Sequence, residues 1–217
     1  MKQEQIIQET ENFVAGELER EGSGHDWFHI ERVRKLTLRI GQEEKCDLFI
    51  AEMAALLHDL DDWKLISSSE KDELGKVERW LSKIGMETET SSKILQCISD
   101  ISFRGAGVET PVRSFEAAVV QDADRLDAMG AIGIARTFAY GGHKSRLIYD
   151  PKVLPVMHSD FESYQKSSAP TINHFYEKLL LLKDRMNTQT ARYLAEERHQ
   201  FMEIFLTQFF EEWESKK

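Results

Sequence analysis

The chain has 217 residues, 41% hydrophobic and 30% charged, enough for a sizeable core in one domain. A formal charge of −10 argues against a protein that grips nucleic-acid polymers, which needs clustered lysine and arginine, but leaves room for a small anionic substrate. No apolar run approaches the ~20 residues that cross a bilayer, MKQEQIIQETENFV lacks a hydrophobic signal region, and Cys46 and Cys97 fit no CxxC pattern. A cytoplasmic protein with no membrane, disulfide framework or thiolate metal site is therefore expected.

Residues 2 to 21 form the first helical candidate. From Trp27 to Gly41, the positions His29, Val33, Leu36 and Ile40 follow the spacing i, i+4, i+7, i+11, so His29 points inward with three aliphatic neighbours. Asp26 or Ser23 would cap this helix and Gly41 would end it. Residues 46 to 60, CDLFIAEMAALLHDL, are apolar on nearly every side, as in a central core helix, and end in His58 and Asp59. Further helices are expected at 69 to 84, 88 to 101 and 112 to 139, the last broken near Gly130, where AMGAIGIA supplies small residues for close helix approach.

Residues 140 to 170 hold three of the four prolines and a Gly-Gly pair, and read as a long loop or lid. A final helical region, roughly 171 to 214, places Leu194, Phe201, Phe205, Phe209 and Trp213 on one stripe, read as core with a homodimer face as the alternative. There is no internal repeat, and few segments alternate with strand period. The expected fold is all-α, one domain spanning 1-217.

Polar residues on apolar helix faces call for a reason. His29, the adjacent pair His58 and Asp59, and Asp124 in VVQDADRLDAMG are ligand-type residues on three separate helices. Asp124 shares a face with Ala117, Val120 and Asp127. Each alone fits a blander role: His29 as a hydrogen-bonded core histidine, Asp124 as a cap or as the partner of Arg125 or Arg32. Together they are costly to bury unless something neutralises them. Imidazole nitrogen with carboxylate oxygen suits first-row divalent metals, and four such ligands leave two octahedral positions for water and substrate.

The order H…HD…D is the signature of the HD-domain metal-dependent phosphohydrolase superfamily. GHDWFHIERV, LLHDLDD, QDADRLDAMGAIGIAR and NHFYEKLLLLKDRMNT resemble the motif series of its YpgQ/YedJ-like bacterial branch, from about residue 22 to 190. The resemblance implies an all-helical HD domain, a metal held by His29, His58, Asp59 and Asp124, and hydrolysis of a phosphate ester or anhydride. A nucleotide is the expected substrate, with nucleoside triphosphate pyrophosphohydrolysis the narrower activity found in some members. Dinuclear relatives add histidines between the HD pair and the last aspartate. Residues 60 to 123 contain none, so one divalent transition metal is expected, Mn²⁺ first, with Ni²⁺, Co²⁺, Fe²⁺ or Zn²⁺ as alternatives.

Phosphate hydrolysis also needs a proton carrier and cations. HDLDDWK supplies Asp61 and Asp62; Asp62 is preferred because it lies four residues after His58, although a solvent-facing acid is an equal reading of either. Lys64, Arg104 in the SFRG turn, and His174 with Lys178 in NHFYEK are candidate phosphate contacts, the last pair favoured by the family pattern. His25, one turn before His29, is read as facing substrate or as hydrogen-bonding a carboxylate that orients a ligand. Lys144 and Arg146 would add anion contacts if 140–170 closes over a site. The competing function is a non-catalytic metal or nucleotide sensor on the same fold.

Overall fold

The computed structural model describes residues 2–18, 26–60, 75–101, 112–157 and 168–217. These form helices and connecting turns with no strand among them, so the fold is all-α. They divide into two compact units, one ending at Ala123 and the other running from Asp124 to Lys217.

The first unit contains α1 (Gln3–Glu17), α2 (Trp27–Glu44), α3 (Leu48–Leu57), α4 (Gly75–Lys83), α5 (Thr88–Ile101) and the start of α6 (Phe115–Asp127). The centre is α3, whose residues from Ile50 to Leu57 are all buried, as its nearly uninterrupted apolar sequence requires. α2, α5 and α1 pack on it. Ile30, Val33 and Ile40 of α2 are fully enclosed, as are Met53, Leu56 and Leu57 of α3, each contributing roughly 1.5–3 kcal/mol of burial. Two polar clasps fix α1 in place. Arg34 donates to Glu52 at 2.7 Å and to Glu11 at 2.8 Å, joining α2 to α3 and α1. Trp80 of α4 donates its indole N–H to Thr10 at 3.0 Å and stacks on Phe13 with ring centroids 4.0 Å apart.

Gly41 does not end α2. The helix continues to Glu44 and closes on Lys45, which takes the left-handed conformation at φ 60°. Gly41 is instead buried, and a Cβ there would stand 2.8 Å from both Cys46 Sγ and Leu48 Cδ2. The residue serves packing between the helix and the next turn.

The second unit carries the end of α6, then α7 (Gly130–His143), α8 (Asn173–Glu177), two 3-10 turns at Leu179–Leu181 and Lys183–Arg185, and α9 (Gln189–Trp213). The expected break near Gly130 is present, with Gly130 at φ 67° opening α7. α7 runs through the Gly-Gly pair to His143, so the loop or lid expected over 140–170 begins no earlier than Lys144, and residues 158–167 of that span lie outside the described residues. Gly141 is helical and buried, and its bare Cα lies against Thr171, where a Cβ would collide with the hydroxyl.

The final helical region is not continuous. Met186 and Thr188 are extended, and the Thr188 side chain accepts from Ala191 N–H, capping α9 afresh. α9 packs on α7. Phe205 stacks on Phe175 at 5.7 Å and meets Phe138 edge-on at 6.0 Å, while Phe209 and Trp213 stack at 6.0 Å. Phe201 and Trp213 depart from the expected core stripe, each 48% exposed, while Met202 and Leu206 of the same helix are buried.

Candidate metal centre

Asp26 starts α2 and accepts from the backbone N–H of His29 at 2.8 Å. The cap thereby locks the turn that carries His29, whose side chain is fully buried.

At the end of α3, the last carbonyls have no partner within the helix. The one at Ala55 receives a hydrogen bond from Nδ1 of His58 at 2.9 Å. A carbonyl only accepts, so Nδ1 carries a proton, and in the neutral imidazole Nε2 is then the nitrogen that presents a lone pair. That Nε2 is buried and makes no hydrogen bond among the described residues. One contact thus satisfies the helix end and orients a ligand-ready nitrogen.

Asp59, 5% exposed, divides its oxygens between the two imidazoles. Oδ2 lies 3.3 Å from His29 Nε2 and Oδ1 lies 3.4 Å from His58 Nε2, with the two rings tilted at 67° and their centroids 5.5 Å apart. One ligand atom from each of His29, His58 and Asp59 falls within 4.8 Å of the others. The orphaned Nε2 and the mixed N,O donor set therefore fit a divalent transition metal.

Asp124 lies on α6, half-buried, as the first residue of the second unit. Asp127 on the same face is committed elsewhere, accepting from Arg136 at 2.7 Å. His174 sits in α8, and Lys178 follows at its end, donating its backbone N–H to the His174 carbonyl at 3.0 Å. Burial chiefly, then the charges of Lys178 and Arg146, push the His174 imidazole down to about 3, so it is neutral at physiological pH. His25, Asp61, Asp62, Lys64 and Arg104 lie outside the described residues. The contribution of the Ala55 carbonyl was not legible in the sequence. A backbone acceptor has no residue signature, and only the position of the α3 terminus reveals it.

No family model matches the chain. A Bacillus subtilis protein, the uncharacterized protein YpgQ, is 42% identical over 210 residues, covering 96% of this chain and 94% of that one. Among solved structures, an HD-superfamily hydrolase from Bacillus thuringiensis is 46% identical with a TM-score of 0.77, covering 98% of this chain and 99% of its own. The structure of Bacillus subtilis YpgQ in complex with ADP is 38% identical with a TM-score of 0.76, covering 95% and 97%. An all-helical chain with His29, His58 and Asp59 gathered at helix ends has the build of the HD-superfamily hydrolases. Within that class, the chain belongs to the YpgQ-like family.

Proposed function

We propose that the chain is a metal-dependent phosphohydrolase acting on a small phosphorylated compound, a nucleotide first of all, with nucleoside triphosphate pyrophosphohydrolysis as the narrower activity. The observation that carries this reading is the convergence of His29, His58 and Asp59 ligand atoms within 4.8 Å. The ADP bound in the YpgQ crystal structure supports a nucleotide ligand.

In this reading His29, His58, Asp59 and Asp124 hold one divalent cation, Mn²⁺ by preference. When bound, the cation supplies Lewis acidity toward a phosphoryl oxygen and toward water. Water forms the new P–O bond while the bond to the leaving-group oxygen breaks. Asp62, with Asp61 as its alternate, takes the proton from water and returns one to the leaving group. His25, Lys64, Arg104, His174 and Lys178 bind the substrate phosphates or orient the ligands around them. The chain works as a single cytoplasmic HD domain; among the described residues no helix is long and apolar enough to cross a membrane.

The test is a product-resolved screen of nucleoside mono-, di- and triphosphates with Mn²⁺, Ni²⁺, Co²⁺, Zn²⁺ and Mg²⁺. Metal-dependent turnover is expected, with pyrophosphate released from triphosphates under the narrower reading, and His58→Ala and Asp59→Ala should abolish both turnover and metal binding. Full activity in either variant would remove the site. Metal binding with no turnover of any nucleotide would replace the enzyme with a sensor.

A further inference from the structure

The end of α6 leaves the α-helical ladder. Ala128 N–H reaches back to the Arg125 carbonyl at 3.1 Å and Met129 N–H to the Leu126 carbonyl at 3.0 Å, each bond spanning three residues instead of four. Such tightened turns have poorer hydrogen-bond geometry than the α-helix and depend more on what packs around them. Asp124 stands directly before this turn. Its placement is therefore set by how the end of α6 is held from outside.

Contacts within the second unit supply that hold. Arg198, on α9, donates from its guanidinium to the Leu126 carbonyl, the same oxygen that accepts from Met129, so both lone pairs of that oxygen are engaged. The donor lies 72 residues from its acceptor along the chain, so the clasp reports the packing of α9 and not a local turn. Gly130, at φ 67°, makes room for it: a Cβ there would stand 3.1 Å from Arg198 Cγ and 3.2 Å from its Cβ. Across the joint, Arg136 of α7 donates to the buried Asp127 carboxylate at 2.7 Å. Leu126 and Met129 are buried, which grips the turn on its apolar side as well. A guanidinium at a helix C-terminus also meets the negative end of the helix dipole.

We infer that Arg198 is a positioning residue for the metal: by clasping the Leu126 carbonyl, with Gly130 giving it room, it fixes the turn of α6 beside Asp124 and so the placement of that carboxylate. The inference rests on the reading of Asp124 as a ligand. Arg198 acts through Asp124 and not on the substrate.

The experiment titrates the full chain with Mn²⁺ and follows the electron paramagnetic resonance signal of the free ion. Arg198→Met keeps the apolar stem and removes the donors; it should weaken Mn²⁺ binding by roughly 10-fold, the lower end of what loss of a supporting contact costs a metal site. Arg198→Lys keeps the charge and a donor and should recover most of that loss. Arg192→Met removes a comparable clasp of α9, donated to the Met186 and Asn187 carbonyls at 3.1 Å each, and should leave the affinity unchanged. In an Asp124→Ala background, Arg198→Met should add no further loss, because nothing remains for it to position. Wild-type affinity in folded Arg198→Met, an equal loss in both backgrounds, or an equal loss in Arg192→Met overturns the inference. Should Arg198→Met not fold, Arg198→Gln, whose polar end is too short for the carbonyl, takes its place under the same criteria. Unchanged affinity in Asp124→Ala removes the ligand assignment and the inference with it, whereas a large loss there with none in Arg198→Met removes only the positioning role. Mn²⁺ binding without turnover of any nucleotide removes the hydrolase and leaves the positioning role standing.

Discussion

At the scale of single residues, the candidate metal centre depends on how each ligand-type side chain is held. Asp59 lies between two imidazoles, and the tautomer of His58 is set by a helix-terminal carbonyl. His174 is a second residue whose environment decides its chemistry. Its imidazole ionises near 3 in the folded chain and near 6.5 when unfolded. Between those values the unfolded state binds more protons, so stability rises with pH through that window and levels off above about 6.5. Acidification from pH 6.5 should therefore destabilise the fold by up to about 1.4 kcal/mol per pH unit through this residue. Urea midpoints of wild type and His174→Asn, compared at pH 7 and pH 5, measure it: the variant should lose less stability on acidification. Parallel losses would show that His174 is not the titrating group.

At the scale of elements, capping links stability to function. The Asp26 carboxylate both starts α2 and fixes the N–H of His29. Asp26→Ala should cost about 1 kcal/mol in chemical unfolding and weaken metal binding by roughly 10-fold, the lower end of what losing a supporting contact costs a metal site. Asp26→Asn keeps a capping oxygen and should restore most of both. An Ala variant with unchanged metal affinity would separate the cap from the centre.

Element periods were well marked in the sequence. The buried run of α3, the inward face of α2 with His29, Val33 and Ile40, and the break at Gly130 all follow from 3.6-residue spacing and local chemistry. Element ends were less legible. Gly41 resembles a helix terminator but is required by Cys46 and Leu48 beside it. Gly141 resembles loop composition but lies within α7, where Thr171 packs too close for a side chain. Glycine is read locally as a breaker, whereas here it permits close approach by a segment distant along the chain or across a turn.

At the scale of the whole molecule, a bound metal and the fold should report on each other. A cation that binds only the folded chain stabilises it by about 2.7 kcal/mol at one hundred times its dissociation constant. For a chain of this length that corresponds to a rise of roughly 5–10 °C in Tm. Thermal unfolding with Mn²⁺ and with EDTA should show this difference in wild type and not in Asp59→Ala. Equal shifts in both proteins would mean that the cation stabilises from elsewhere.

By itself the sequence determined the helical class, the inward faces of the main helices and the presence of His29, His58 and Asp59 as ligand-type residues at helix ends. Each of these depends on residue type and spacing within one element, and backbone geometry makes that spacing a direction. Only the tertiary structure decided that ligand atoms of these three residues meet within 4.8 Å and that the Ala55 carbonyl engages Nδ1 of His58. Those facts depend on packing between elements and on backbone atoms that every residue shares, and neither leaves a periodic mark in the chain.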